Sequence, residues 1–142
     1  MLMLAIDPGD TFCGWALFLD GVCERVGTYQ PEGLLDWVSD IGFELNILVI
    51  EEYRLYPDKA AAQAYSSFPT VETIGALKFI ARQHDIRIVM QPAAAKRPAR
   101  GISAAKKIRM LSSERGQSIH AKDAELHGVY WTIKEHERRK NR

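Results

Sequence analysis

Residues 4–17 read LAIDPGDTFCGWAL: an unbroken apolar run ends at the carboxylate of Asp7, and Pro8-Gly9 follows at once. A short apolar run bounded by a turn signal is the pattern of a buried strand, here Met1 to Ile6. A charge at the tip of such a strand has to be compensated or used, because burying an unpaired carboxylate is costly. Pro8 keeps Asp7 extended, and Gly9 permits a tight reversal. The next run, residues 12–19, is then expected to lie beside the first, with Asp20-Gly21 turning it into a hairpin with residues 22–29. In that register Leu19 faces Val22, Phe18 faces Cys23 and Cys13 faces Thr28. The two thiols then stand about 17 Å apart at strand rise, too far for a disulfide.

Working outward, residues 46–52 read NILVIEE, a second apolar strand that ends in carboxylates. An unbroken run is what a parallel strand buried on both faces looks like, so it offers no parity by which to choose between Glu51 and Glu52. Ile86 to Met90 reads as a third buried strand, stopped by Pro92. Leu34, Leu35, Val38 and Ile41 recur at helical spacing over Pro31 to Phe43, and Val71, Ile74, Leu77 or Lys78, and Ala81 do so over Thr70 to His84, with Pro31 and Pro69 at the starts. Residues 53–68 read as irregular or weakly helical. Residues 92–105, PAAAKRPARGISAA, combine two prolines, a glycine and three basic residues with little to pack, and read as an exposed, mobile loop. Ser118 caps a final helix from about Ile119 to Glu137. A meander of strands followed by strands alternating with helices makes an α/β domain with a mixed, five-stranded sheet and helices on both faces.

The chain has 142 residues, 46% hydrophobic and 26% charged, which suits one globular domain over residues 1–142. No apolar run reaches the roughly 18 residues of a membrane span, and no export signal is visible, so a cytoplasmic location is expected. Charge is unevenly spread: residues 1–95 hold 6 basic and 13 acidic residues, a balance of −7, whereas residues 96–142 hold 13 and 5, a balance of +8. Such asymmetry suits either a polyanionic partner for the basic part or a solvated basic helix.

Residues 120–131, HAKDAELHGVYW, set His120, Asp123 and His127 on one helical face beside a stripe of small residues, Ala121, Ala124 and Gly128. The small stripe lets the helix approach the sheet closely, within reach of Asp7 and Glu51. Carboxylates gathered there without a buried lysine or arginine repel one another, and divalent cations are the natural compensation. Oxygen ligands at incomplete sites favour Mg²⁺ or Mn²⁺. A pair of ions about 3.5–4 Å apart is the usual device for phosphodiester hydrolysis.

These residues resemble the RuvC family of Holliday junction resolvases, in the ribonuclease H-like superfamily. IDPG with Gly14-Trp15-Ala16 resembles the family's first motif, VIEE at 49–52 its second and HAKDA at 120–124 its last. Residues 75–96, GALKFIARQHDIRIVMQPAAAK, are similar to its helix, strand and lysine-bearing loop. The resemblance spans residues 3–133. It implies that Asp7, Glu51 and Asp123 are metal ligands, that His120 fills a ligand or proton-transfer position, and that Lys96 is the basic loop residue near the cleaved strand. It also implies two Mg²⁺ or Mn²⁺ ions per site, a homodimer, and symmetric nicking that leaves 5′-phosphate ends. Cys13 and Lys122 depart from the family pattern, and the shorter chain suggests a compact, phage-type branch.

Other residues are read more plainly. Glu52 caps its strand or faces solvent, His127 packs or supports a ligand, and Asp10 serves the turn. Tyr53, Tyr56, Tyr65 and Phe68 follow the Glu51 strand, where they either stack on unpaired bases or pack their loop, with Tyr53 and Tyr56 the nearer to the site. Lys96, Arg97, Arg100, Lys106, Lys107 and Arg109 form a candidate phosphate track. The sequence thus reads as a metal-dependent endonuclease of branched DNA that resolves four-way junctions, with no membrane partner. The alternatives are a nuclease of the same fold acting on flaps, forks or RNA–DNA hybrids, and a non-catalytic DNA-binding module. An actin-like or sugar-kinase ATPase would need a second such domain, for which the chain is too short.

Overall fold

The structure, a computed structural model, describes residues 1–54 and 68–142. Five strands, β1 (Leu2–Asp7), β2 (Cys13–Leu19), β3 (Val22–Tyr29), β4 (Ile47–Glu51) and β5 (Arg87–Gln91), form one mixed sheet in the order β3-β2-β1-β4-β5. β1 pairs antiparallel with β2 and parallel with β4, and β4 pairs parallel with β5. Asp20 and Gly21 both take positive φ, 49° and 86°, the backbone a two-residue hairpin turn requires. Leu19 pairs with Val22 and Phe18 with Cys23 as expected, but a bulge beside Leu17/Phe18 makes Glu24 an extra residue, so Cys13 faces Tyr29 rather than Thr28. Both cysteines are free thiols.

Among the described residues, five helices pack around the sheet: α1 (Pro31–Ile41), α2 (Pro69–Gln83), α3 (Lys96–Ala105), the single turn α4 (Leu111–Glu114), and α5 (Ile119–Lys140). Strand alternation divides the core. Leu4, Ile6, Leu48 and Ile50 point to one face and pack with Leu34 and Val38 of α1 and Ile74, Leu77 and Ala81 of α2. Met3, Ala5, Ile47 and Val49 point to the other and pack with Ala124, Val129, Trp131 and Ile133 of α5. Two glycines set the depth of α5: a Cβ on Gly14 would stand 1.9 Å from the carbonyl oxygen of His120, and one on Gly128 would stand 2.2 Å from the Phe18 ring. No helix among the described residues is long and apolar enough to cross a membrane.

Three expectations are corrected. Residues 92–105 are not a loop: a 3₁₀ turn at Ala93–Ala95 runs into α3. Pro98 falls in the first turn of α3, where its missing N–H breaks no helical bond, and Ala95, Ala99 and Ser103 form a buried stripe of small residues. β5 is the sheet edge, with Arg87 exposed and Ile88, Val89 and Met90 half-buried, because an apolar run does not reveal how many neighbours a strand has. α2 turns Thr70, Thr73, Ile74, Leu77 and Ala81 inward and leaves Val71 45% exposed. Its first turn is fixed by Asp10, whose Oδ1 accepts from the Thr70 hydroxyl at 2.5 Å and the Thr70 N–H at 3.3 Å. Asp10 therefore ties the β1–β2 turn to α2.

Candidate active site

β1 and β4 run parallel with Ile6 opposite Ile50, so Asp7 and Glu51 extend the two strands by one residue at the same level. Adjacent strands lie about 4.8 Å apart. Alternation sends both carboxylates to the face that α5 covers, and it sends Glu52 the other way, where its carboxylate takes Arg54 at 3.1 Å. Ser118 caps α5, its Oγ accepting from the Ala121 N–H at 3.3 Å. Gly14 lets the first turns of α5 descend onto β2, which brings His120 and Asp123 over the strand tips.

His120 Nδ1 lies 2.9 Å from Asp7 Oδ2. Lys96, at the start of α3, bridges the other two acids, with Nζ 3.0 Å from Glu51 Oε2 and 2.9 Å from Asp123 Oδ2. His127, fully buried, sets Nε2 2.7 Å from Glu51 Oε2 and Nδ1 2.8 Å from Gln91 Oε1. A carboxylate only accepts, so the imidazole donates to Glu51 through Nε2.

The charge states follow from these contacts. Burial, joined by the nearby charges of Glu51 and Asp123, pushes the Asp7 carboxyl up to about 6 against the pull of His120. Burial would raise Glu51 as well, but hydrogen bonds from His127 and Lys96 hold it below the usual carboxylate range. Burial disfavours the Lys96 ammonium, yet Asp123 and Glu51 together hold its pKa above the ordinary value. The expectation that no lysine would neutralise the cluster is thus corrected: Lys96 serves Glu51 and Asp123, and Asp7 is left to His120.

Among the described residues no three His, Cys, Asp or Glu side chains stand in ready ligand geometry for a metal ion. The donor set nevertheless suits Mg²⁺ or Mn²⁺. It offers three hard carboxylates and one imidazole against a single lysine, and it leaves a buried acid, Asp7, whose charge His120 compensates only in part.

The remaining candidates are scattered. Arg97, Arg100, Lys106 and Lys107 are exposed along and just beyond α3. Arg109 grips Glu114 at 2.7 Å and is 74% exposed. Tyr53 is 37% exposed and meets the Phe68 ring edge-on at 6.2 Å. Tyr56 and Tyr65 lie outside the described residues, as does most of segment 53–68. Sequence reasoning missed two groups. Gln91 pairs with Glu51 in the β4–β5 register and orients His127. Glu125, fully buried, accepts the Leu111 and Ser112 N–H groups at 2.7 and 2.8 Å and so holds the start of α4. An acid inside the apolar run of an amphipathic helix was the available signal for Glu125.

No protein-family model matches the sequence, and no curated protein matches it. The fold, by contrast, is shared. RuvC from Thermus thermophilus in complex with Holliday junction substrate superposes with a TM-score of 0.60 at 15% identity, covering 92% of this chain and 91% of that one. A second structure of Thermus thermophilus RuvC gives 0.63 at 14% identity, covering 92% of each chain. Fowlpox virus resolvase in complex with its substrate Holliday junction DNA gives 0.63 at 10% identity, covering 94% of this chain and 98% of that one. The mixed five-stranded sheet, with acids on the tips of its two central parallel strands and a helix laid across them, is a RuvC-like, ribonuclease H-like fold.

Proposed function

We propose that this chain is a divalent-metal-dependent endonuclease that cuts branched DNA, acting on four-way junctions as a homodimer through symmetric nicks that leave 5′-phosphate ends. The observation that carries the reading is the convergence of Asp7, Glu51, Asp123 and His120 from three separate elements at one end of the sheet. Its fold likeness to proteins described in complex with Holliday junctions supports the choice of substrate.

Asp7, Glu51, Asp123 and His120 would hold Mg²⁺ or Mn²⁺, as a pair of ions in this reading. Bound there, the metal supplies Lewis-acid activation of the phosphodiester and a nucleophile at neutral pH. The protein's own residues do the positioning. His127 and Gln91 fix the Glu51 carboxylate in one orientation, and Asp7 fixes the His120 ring through Nδ1. Nε2 of that ring, on a side chain 42% exposed, is then the nitrogen that remains for the metal. Lys96 is placed to exchange its carboxylate partners for a phosphate oxygen when the strand arrives.

The test offers labelled four-way junction, flap, linear duplex and RNA–DNA hybrid to the protein with Mg²⁺ or Mn²⁺. Junction is expected to be cut fastest. Asp7→Asn and Asp123→Asn are each expected to lower cutting by at least about 10³-fold while junction binding persists. Faster cutting of flap or hybrid would move the activity to another substrate of the same chemistry. Binding without cutting under every condition would make the chain a DNA-binding module.

A further inference from the structure

Beside the carboxylate cluster, a groove of about 380 Å³ runs between α3 and the first turns of α5. Ile108, Met110, Ile119 and Leu126 give it a largely apolar lining, to which Arg100 and Lys122 add two cations. No carboxylate lines it. Ile119 is 61% exposed although it opens the helix that carries His120 and Asp123. Neither Arg100 nor Lys122 has an ion-pair partner among the described residues.

The groove shares its two helices with the site. Ile119 precedes His120, Lys122 precedes Asp123, and Arg100 lies one helical turn beyond Lys96. A strand held at Lys96 and Asp123 therefore lies against the same two helices that line the groove. A duplex presents phosphates outward and keeps its bases stacked, so cations alone suffice to bind it. An apolar lining with two cations matches a different object, an exposed base between two phosphates. Aliphatic side chains serve as such wedges against unstacked bases in other DNA-binding proteins. The volume is at the small end of ligand sites.

We propose that this groove binds the unpaired nucleotides of a DNA strand beside the scissile position, with Ile119 and Met110 against a base and Arg100 and Lys122 on the flanking phosphates. The assignment rests on the nuclease reading above and gives that reading a source of selectivity for branched over linear DNA.

Fluorescence anisotropy in EDTA, on a short labelled single strand and a blunt duplex of the same sequence, tests it without cleavage. Wild type is expected to prefer the single strand. Ile119→Ser, with its thermal midpoint checked against wild type, is expected to weaken single-strand binding about tenfold and duplex binding less than about twofold, the scale of one aliphatic side chain losing its burial. Arg100→Ala is expected to flatten the single-strand salt slope by about 0.7. Equal losses on both DNAs overturn the assignment, and an unchanged single-strand affinity in Ile119→Ser does so too, leaving the groove to a protein partner. Failure of wild type to bind either DNA overturns the nuclease reading itself, a result distinct from both.

Discussion

The tips of β1 and β4 are neighbours at one level of the sheet and face the same helix, yet they hold their acids in opposite electrostatic states. Glu51 receives a buried imidazole and a lysine, and its carboxyl is held low. Asp7 receives one half-exposed imidazole, feels both other acids, and is pushed up to about 6. The neutralisation of this cluster is lopsided. The protein's own cations complete the β4 tip and leave the charge deficit at the β1 tip, which is where a divalent cation has most to gain.

The largest effect expected on stability comes from removing the support of the β4 tip. His127→Ala opens a cavity and strips partners from Glu51 and Gln91, both enclosed there, at a cost of about 3 kcal/mol. His120→Ala, at the β1 tip and half-exposed, is expected to cost less than about 1 kcal/mol. Urea unfolding of the two variants in EDTA checks the ranking, and equal losses would erase the contrast between the tips.

Next comes the pH dependence of the metal-free protein. The folded state holds the Asp7 proton up to about pH 6, against 3.8 for an unperturbed side chain. The stabilisation from that proton is fully present below about pH 4 and is lost as pH rises to about 6, a drop on the order of 2–3 kcal/mol. Glu51 acts with the opposite sign, since its lowered pKa adds stability that is lost as pH falls. Asp7→Asn is expected to remove the fall between pH 4 and 6 and to be more stable than wild type at pH 7 in EDTA. Thermal unfolding of both proteins across that range reads it directly, and parallel pH curves would place the deficit elsewhere.

Much of this arrangement is legible in the sequence. The apolar runs that stop at Asp7 and Glu51, the Asp20-Gly21 turn and the Ser118 cap each rest on a local pattern of large apolar or turn-forming residues, and each stands where that pattern puts it. The choice of Glu51 over Glu52 needed one non-local fact, the face of β4 that α5 covers, which a run buried on both sides does not carry. Segment 92–105 was misread because its packing rests on Ala95, Ala99 and Ser103, residues too small to register in a hydrophobic pattern although they stand at helical spacing. Without that helix, Lys96 reads as a loop cation awaiting DNA, and its bridge between Glu51 and Asp123 is invisible. Gln91 is hidden for a similar reason, since its role follows only from the parallel register of β5 on β4.

A smaller effect than the loss of His127 sharpens the part played by that bridge. Lys96→Met leaves Glu51 and Asp123 without their shared cation and is expected to cost about 1–2 kcal/mol in EDTA, less than His127→Ala because the side chain is 20% exposed. Added Mg²⁺ is expected to recover more stability in this variant than in wild type, since the metal no longer competes with the ammonium. An equal or smaller recovery would mean that Lys96 and the metal use different oxygens.

The most direct measurement is the thermal midpoint of wild type and Asp7→Asn titrated with Mn²⁺ at pH 5 and pH 7.5. A ligand that binds only the folded state raises the midpoint with its concentration, and a site that must lose a proton binds more tightly at higher pH. Wild type is expected to gain at pH 7.5 and much less at pH 5, whereas Asp7→Asn gains little at either. A wild type indifferent to Mn²⁺, or an Asp7→Asn variant that gains as much as wild type at pH 7.5, would contradict a metal site built on the charge deficit at Asp7.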